Sequence, residues 1–444
     1  MSSSLLKLGY VDANASVSEQ ELNSYIRTFR VPGSKMEHYK LLDDDRSFKL
    51  KKRWVPPVRS QTNDEVVELT KFLEKAGFLP NAIHDGFFGY ITQAAVRLFQ
   101  EYVRTRDPDY DPNKKGQKKC FPDGMVGNGT RGHIARWKEA KMKADWGKDP
   151  KGEAAKNGKA WRKRFLKTAQ HLTDHPGPIQ KARKRFKSET DTLLPEDWKF
   201  PKDQPLLFGI RRLADIDNHL DVKKWSKKLK KMVTQKRRPM DDLFVLLVNG
   251  HSFVFFGSTD PSVHLSRAQE PYLVNGQHLY QFSWHLVSIK YKTYRAFRPA
   301  KHGVVVIRDT SKADSLSTVN VKKGPDKTAN NTINIHWSGL GHSNFSAGCQ
   351  VIAGNSYLDS EAALQSCRSF GAFFYDDLGK PPKQSNRRTK GAYNLLTDLI
   401  MVYGRNTPWS LCPPLRYTLF SASDLEAAGA MTKVELKAIR KKLK

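Results

Sequence analysis

The sequence predicts an α+β protein of several domains: a small three-helix unit, a basic helical region and a mostly β domain. Three observations lead to this fold class. A turn-and-helix pattern occurs twice in the first third of the chain, lysine and arginine dominate the next stretch, and short β-type runs separated by turn residues follow. A chain of 444 residues is long enough for two to four domains, at least one with a large core.

Shifts in composition predict the domain boundaries. We expect an N-terminal tail or adaptor over residues 1–57, which ends at a Val-Pro-Pro sequence. The three-helix unit is expected over 58–140, the basic helical region over 141–238 and the β domain over 239–380. A C-terminal extension of helical or mixed structure occupies 381–444.

The composition predicts anionic partners. The formal net charge is +31, from 76 Lys and Arg against 45 Asp and Glu, and such a chain attracts anionic wall polymers, nucleic acid or anionic membrane. No stretch approaches the ~20 apolar residues of a membrane span, and the first residues lack the pattern of a secretory signal. Four scattered cysteines predict no disulfide scaffold.

The three-helix unit is predicted from a doubled turn. Residues 85–92 read Asp-Gly-Phe-Phe-Gly-Tyr-Ile-Thr and lead into an apolar helical run that ends at Gln100; residues 123–130 repeat the turn as Asp-Gly-Met-Val-Gly-Asn-Gly-Thr. Asp-Gly forms a tight turn, the second glycine permits a positive φ, and Thr92 and Thr130 are suited to cap the following helices.

These residues closely resemble the peptidoglycan-binding domain family, whose hallmark is DGxFGxxTxxAVxxFQ followed by a second DGxVGxxT. The resemblance covers about 80 residues and implies that the unit binds bacterial peptidoglycan near its turns. The candidate ligand-binding residues are Asp85, Phe88, Gly89 and Asp123. The alternative is a pair of helix starts in an unrelated bundle, and Phe87, Phe88 and Phe99 also fit a hydrophobic core.

The basic region has two interpretations. Lysine and arginine are concentrated in residues 159–167, 181–187 and 223–238. In the last of these stretches, Leu229, Met232 and Val233 recur at helical spacing. The region is either a clamp on an anionic polymer, nucleic acid included, or a solvated basic linker.

The predicted β domain begins with a hairpin. Two apolar runs within residues 243–257 flank Asn249-Gly250, the commonest dipeptide of a two-residue hairpin turn. Further strand-like runs occupy 279–284, 303–309 and 333–336, which favours a sandwich or barrel-like fold.

A cysteine between small residues is the candidate nucleophile. His336 ends a strand-like run upstream of Ser346-Ala347-Gly348-Cys349. An imidazole can remove the proton of the Cys349 thiol, Gly348 lets the backbone turn sharply, and the amides of Gly348 and Cys349 can stabilise an oxyanion. Ser346 is expected to orient the loop or the imidazole. The alternative is a buried, inert cysteine.

His336, Ser346, Gly348 and Cys349 resemble the active-site signature of the L,D-transpeptidase family of peptidoglycan enzymes. The resemblance implies a β-rich fold and a thioester formed with a stem peptide at the bond to its terminal D-alanine. An amine acceptor would give a cross-link, and water would give L,D-carboxypeptidase or endopeptidase activity; the acceptor is left open. The scheme requires no metal or organic cofactor, and it implies action at the bacterial cell wall after lysis or specialised secretion.

Other residues are predicted to contact the substrate. His278 is expected to face the Cys349 loop, Arg308 to hold a carboxylate or to pair with Asp309, and Trp337 follows His336 in the same stretch. Two further functions stay open. One is a zinc peptidase that uses His278, His285, His336 and Asp309, although no H-E-x-x-H motif occurs. The other is a noncatalytic protein that binds wall or nucleic acid.

Overall fold

The structure is a computed structural model. It describes residues 5–7, 10–14, 58–59, 64–113, 120–211, 220–226, 229–237, 239–261, 269–288, 292–309, 318–341, 344, 346–373, 388–404 and 414–443. The chain forms two compact units. The first comprises Met1–Pro150, Ser283–Arg295 and Cys367–Pro413, and the second Lys151–Phe282, Ala296–Ser366 and Pro414–Lys444.

The described residues contain nine α-helices. They are α1 (Glu65–Lys75), α2 (Tyr90–Arg106), α3 (Asn128–Glu139), α4 (Gly152–Asp174), α5 (Pro178–Lys184), α6 (Thr318–Lys323), α7 (Ala392–Tyr403), α8 (Ala422–Ala427) and α9 (Lys433–Leu443), with a 3-10 turn at Pro195–Asp197. None of these helices is both long and apolar enough to cross a lipid bilayer.

The strands are numbered in the same way. They are β1 (Tyr10–Val11), β2 (Val58–Arg59), β3 (Leu206–Arg211), β4 (Leu220–Ser226), β5 (Lys231–Arg237), β6 (Asp242–Val248), β7 (His251–Ser258), β8 (Glu270–Leu273), β9 (Gly276–Ser288), β10 (Lys292–Pro299), β11 (Val306–Asp309), β12 (Ile335–Trp337), β13 (Gln350–Leu358), β14 (Leu364–Ser366), β15 (Gly371–Phe373), β16 (Arg388–Lys390) and β17 (Leu415–Ser421).

The doubled turn of the first unit has the same geometry twice. The Asp85 Oδ1 accepts a hydrogen bond from the amide of Phe87 at 3.0 Å, and the Asp123 Oδ1 accepts one from the amide of Met125 at 2.9 Å. The glycines that follow these aspartates have φ values of 74° and 77°. The predicted repeat of a tight Asp-Gly turn before a helix is therefore confirmed.

The predicted threonine caps are wrong. Gly89 and Gly127 are the N-cap residues of α2 and α3, and neither makes a side-chain cap. Thr92 and Thr130 lie three residues further on, inside the first helical turn. Both threonines are buried, and Thr130 receives a hydrogen bond from Gln100 at 3.0 Å.

A short N-terminal segment pairs with both turns. Leu6 bridges to Val126 and Val11 bridges to Phe87, both in the antiparallel sense. The buried Asp12 carboxylate accepts hydrogen bonds from the first amides of α1, at 2.9 Å from Val66. These amides have no partner within a helix, so Asp12 caps α1 from a distant part of the sequence. Leu6, Tyr10, Val11 and Asp12 are thus packed into the first unit.

A fourth helix, α7, packs against α2 in the first unit. Arg97 of α2 makes a two-bond ion pair with Asp398 of α7, at 2.6 and 2.9 Å, and Arg295 contacts the same carboxylate. All three side chains are nearly or fully buried. The prediction of a small, separate three-helix domain is therefore wrong, because part of its core comes from residues near the end of the chain.

The second unit is organised around a closed sheet. Eight strands follow the order β12-β10-β9-β17-β3-β6-β7-β13, and β12 also pairs with β13, which closes the ring; β14 extends it from β13. With the nine described helices, this architecture contradicts the predicted fold of a three-helix domain, a helical linker and a mostly β L,D-transpeptidase-like domain. Closure depends on pairings between strands distant in sequence, which local patterns do not encode.

The β6–β7 hairpin is confirmed and is covered by helix α4. Asn249 and Gly250 have φ values of 49° and 79°, as a two-residue turn of type I′ requires. Gly158 of α4 is needed beside this turn, because an added Cβ would lie 1.8 Å from the Gly250 oxygen. Phe165 of α4 stacks on Phe208 of β3 with ring centroids 3.9 Å apart.

The predicted basic helical region is also wrong as a structure. It begins with helix α4, but it then supplies β3 to the closed sheet and forms the β4–β5 hairpin. Leu229 and Met232, expected on one apolar helical stripe, are each more than half exposed. The β-branched and aromatic residues interspersed with the lysines favour extended structure here.

Candidate functional site

The candidate site lies where β12 and β13 run in parallel. Ile335 pairs with Gln350 and His336 with Val351, and the amide of Gln350 donates to the Asn334 oxygen at 2.8 Å. Directly paired residues of parallel strands point to the same face. The register therefore places Asn334, His336 and Cys349 on one face of the sheet.

The loop before Cys349 requires glycine. Gly348 has a φ of 139°, and an added Cβ would lie 2.8 Å from both the ring and the oxygen of Pro271. Ser346 closes the loop, because its hydroxyl donates to the Cys349 oxygen at 2.9 Å and accepts from the Gly348 amide at 3.2 Å. Ser346 thus orients the loop as predicted, whereas the Gly348 amide is engaged within the loop instead of being open to an oxyanion.

The Cys349 thiol is partly exposed and is held by the main chain. The Asn334 amide donates to its sulfur at 3.3 Å, and the thiol donates to the Thr332 oxygen at 3.4 Å. Burial raises the pKa of the thiol, and the bonds from Asn334 and Ser346 and the charge of Arg298 counteract that rise only in part. The thiol is therefore protonated at neutral pH and needs a base.

Arg298 is the site residue that the sequence analysis missed. β10 and β12 are antiparallel with Ala296 opposite His336 and Phe297 opposite Ile335, so the register brings Arg298 opposite Asn334. Its positive charge lowers the pKa of the Cys349 thiol, although burial is the larger effect there. Only the pairing of β10 with β12 identifies this arginine, because nothing in its local sequence differs from other basic stretches.

His336 is neutral and oriented for proton acceptance. Its Nδ1 lies 2.8 Å from the Trp337 oxygen. A carbonyl oxygen only accepts hydrogen bonds, so Nδ1 carries the proton and Nε2 is the basic nitrogen. Burial lowers the pKa of His336 to about 4, which keeps the ring neutral at pH 7.

The thiol and the imidazole lie on the same face of the sheet, at positions two residues apart in the register. Two main-chain groups, the Asn334 amide and the Thr332 oxygen, form hydrogen bonds with the Cys349 sulfur, and the Ser346 side chain also acts on the thiol. His336 lies two residues along β12 from the position opposite Cys349, about 7 Å at the rise of a strand. Proton transfer thus needs a side-chain rotation or a bridging water, as is common for catalytic pairs without bound substrate.

Two predicted substrate contacts are engaged elsewhere. His278 is fully buried, and its nitrogens lie 2.9 Å from the Thr192 hydroxyl and 3.0 Å from the Val274 oxygen. Burial lowers its pKa to about 3. Arg308 pairs with Asp326 at 2.8 Å and donates to the Gln269 oxygen. Both side chains are therefore held by partners other than the Cys349 loop.

Trp337 is the remaining predicted contact in this unit. It ends β12 and is partly exposed. It pairs with Ile352 of β13, so its backbone belongs to the same parallel pair as His336. The strand alternation directs its side chain to the opposite face from that of His336.

The predicted wall-binding residues lie in the doubled turns of the first unit. Phe88 is fully buried and its amide donates to the Tyr10 oxygen at 2.9 Å. The Asp85 and Asp123 carboxylates hold their own turns, and Gly89 is a helix cap. Phe88 is therefore a core residue, and the main chains of Leu6, Tyr10 and Asp12 form hydrogen bonds with the backbone of the two turns.

The described residues also bear on the alternative metal site and on the other cysteines. Within them, no group of three or more His, Cys, Asp or Glu side chains is placed to hold a metal ion, so the structure does not assemble the alternative zinc ligands His278, His285, His336 and Asp309. Cys120 and Cys367 are free and buried, and burial raises the pKa of both. Cys412 lies outside the described residues.

Comparisons of the chain with protein-family models, with curated proteins and with solved structures find no match.

Proposed function

We propose that this chain is a cysteine-dependent enzyme that transfers or hydrolyses an acyl group, with Cys349 as the nucleophile. The observation that carries the proposal is the β12–β13 pair. It puts a partly exposed thiol, a neutral imidazole and the Arg298 cation side by side on one part of the sheet, next to a loop that only glycine can form.

The chemistry begins with removal of the thiol proton by Nε2 of His336. The thiolate attacks the carbonyl carbon of an amide, and the resulting tetrahedral intermediate collapses to a thioester as the leaving amine takes the proton from the imidazolium. An amine or a water molecule then attacks the thioester and its proton passes to His336; the Cys349 thiolate leaves and takes that proton back from the imidazolium. The Arg298 charge stabilises the thiolate and suits a carboxylate near the scissile bond. The sequence analysis expected Arg308 to hold the substrate carboxylate, but Arg308 pairs with Asp326.

Peptidoglycan stem peptides are the substrate we propose, and the first unit would hold the wall. This part of the proposal is supported by the sequence resemblances at residues 85–100 and 123–130 and at His336 to Cys349. The doubled turn has matched geometry in its two copies. The excess of positive charge suits carboxylate-rich stems and anionic wall polymers. The place of action would be the bacterial cell wall.

The test is a muropeptide analysis. Isolated sacculi are incubated with the protein, with Cys349→Ala and with Cys367→Ala, which removes a fully buried thiol of the first unit. Circular dichroism establishes that each variant is folded. We expect new 3-3 cross-links or conversion of tetrapeptides to tripeptides, detected by mass, with the original protein and with Cys367→Ala only.

Two outcomes contradict the proposal. Muropeptides left unchanged by the original protein, which nevertheless stays bound to the sacculi, would indicate a wall-binding protein without this activity. Equal activity of Cys349→Ala would exclude the thiol as nucleophile.

A further inference from the structure

A basic cavity lies within the first unit, between the C-terminal ends of α1 and α3. Its volume is about 530 Å³, within the range of small-molecule sites, about 300–1,000 Å³. Five lysines lie around it: Lys71, Lys75, Lys138, Lys141 and Lys143. All five are exposed. Three apolar residues also line it: Met142 is partly exposed, whereas Phe72 and Trp137 form its floor and are 4% and 1% exposed.

The positive charge of this cavity is not balanced by nearby acids. Among the described residues, Lys71 pairs with Glu68 at 3.1 Å, and the other four lysines have no acidic partner there. The pKa of Glu68 is lowered first by its hydrogen bond from Lys71, and also by the charges of Lys71, Lys138 and Lys75. The residues that line the cavity thus include five lysines and one carboxylate, that of Glu68.

Helix dipoles explain only part of this cluster. Lys75 and Lys138 lie in the last turns of α1 and α3, where cations are favourable. Lys141 lies beyond the end of α3 with a φ of 51°, and the next amide, of Met142, donates to the Trp137 oxygen at 3.0 Å. Glycine or asparagine is favoured at this position of a helix end. The helix dipole therefore does not account for a lysine at this position.

We infer that this cavity binds a small organic ligand that carries two or more phosphate groups. Lysine ammonium groups bind phosphate oxygens as point charges, and four of them without acidic partners exceed what one carboxylate ligand would need. The apolar lining suits the organic part of the ligand, and Lys138 already lies over the Phe72 ring, with Nζ 5.9 Å from its centroid. This site is independent of the Cys349 chemistry.

The test measures binding of three probes to the full chain by calorimetry at a fixed salt concentration. Adenosine triphosphate carries phosphate groups together with an organic part. Inorganic tripolyphosphate lacks the organic part, and citrate carries carboxylates in place of phosphates. We expect adenosine triphosphate to bind most tightly and citrate most weakly. Equal affinity for adenosine triphosphate and tripolyphosphate would overturn the organic part of the inference, and equal affinity for citrate would overturn the phosphate part.

Lys141→Gly separates binding from folding. Glycine adopts the positive φ without strain, so the melting temperature should be unchanged or higher, while loss of one charged hydrogen bond should weaken adenosine triphosphate binding by about tenfold. Lys159→Ala, which removes the same charge from an exposed position on α4, is the matched control and should bind as the original protein does. Equal affinities of the two variants would overturn the inference, because binding would then follow the overall charge alone.

Discussion

Two sets of buried ionisable side chains, one in each unit, are stabilised in opposite ways. In the first unit, Asp398 lies between Arg97 and Arg295 and contacts both guanidinium groups. In the second unit, burial raises the pKa of the Cys349 thiol and lowers that of the His336 imidazole, so both groups are neutral at pH 7. Burial disfavours charge in both units: a buried group stays charged where a full opposite charge contacts it, and it is neutral where burial outweighs the other effects on its pKa.

The largest expected effect comes from breaking the charged set. Asp398→Asn removes the carboxylate that contacts two buried arginines, and loss of one partner of a buried ion pair costs about 3–5 kcal/mol. The free energy of unfolding from urea titration should fall by that amount. Asp109→Asn is the control, because Asp109 also pairs with an arginine, Arg136 at 3.2 Å, but its side chain is 72% exposed. The control should lose no more than about 1 kcal/mol. If both variants lost a similarly small amount of unfolding free energy, the buried ion pairs of Asp398 would not stabilise the first unit more than an exposed pair does.

The buried neutral His336 should make the free energy of unfolding depend on pH. The pKa of His336 is about 4 in the folded protein against 6.5 for an ordinary histidine, so the unfolded chain binds the proton first as the pH falls. The contribution of His336 to the free energy of unfolding is therefore complete above pH 6.5, declines between pH 6.5 and 4, and levels off below that. The loss is about 3 kcal/mol.

His336→Gln isolates this contribution, since His278 has a lowered pKa as well and acts in the same direction. Urea titrations of the original protein and the variant between pH 7 and 4 should give a flatter pH dependence for the variant. Parallel curves would show that the folded protein accommodates the His336 imidazolium without cost.

The smallest expected effect concerns the pKa of the Cys349 thiol, which the charge of Arg298 lowers in part. The pKa of the thiol is raised, so alkylation by iodoacetamide should be slow at pH 7 and should accelerate as the pH rises. Arg298→Gln removes the cation that lowers this pKa and should slow alkylation at pH 8 on the order of threefold, about half a pKa unit. Mass spectrometry of the Cys349 peptide measures the rate.

Arg308→Gln is the matched control for this measurement, because Arg308 pairs with Asp326 and is absent from the groups that act on the thiol. Its alkylation rate should equal that of the original protein. Equal slowing by both arginine variants would mean that overall charge, not the position of Arg298, governs the thiol.

Short-range features were predictable from the sequence. Asp85-Gly86 and Asp123-Gly124 form matched turns, and Asn249-Gly250 forms the hairpin turn. Thr432 and Glu435 form the reciprocal hydrogen bonds of a capping box at the start of α9, as their spacing indicates. In each case a side chain or a glycine acts on backbone groups within a few residues, so the determining contacts lie inside the local sequence.

Only the tertiary structure decided the surroundings of these features. The closed sheet, the Asp398 ion pairs and the cap that Asp12 gives to α1 all join residues far apart in sequence. The same holds for the candidate site: the sequence indicated Cys349 and His336 as candidates, but strand register placed Arg298 beside the thiol, and the fold paired Arg308 with Asp326. The charge and reactivity of a buried group depend on which groups the folded chain brings within a few ångströms, and that proximity is a property of the packing.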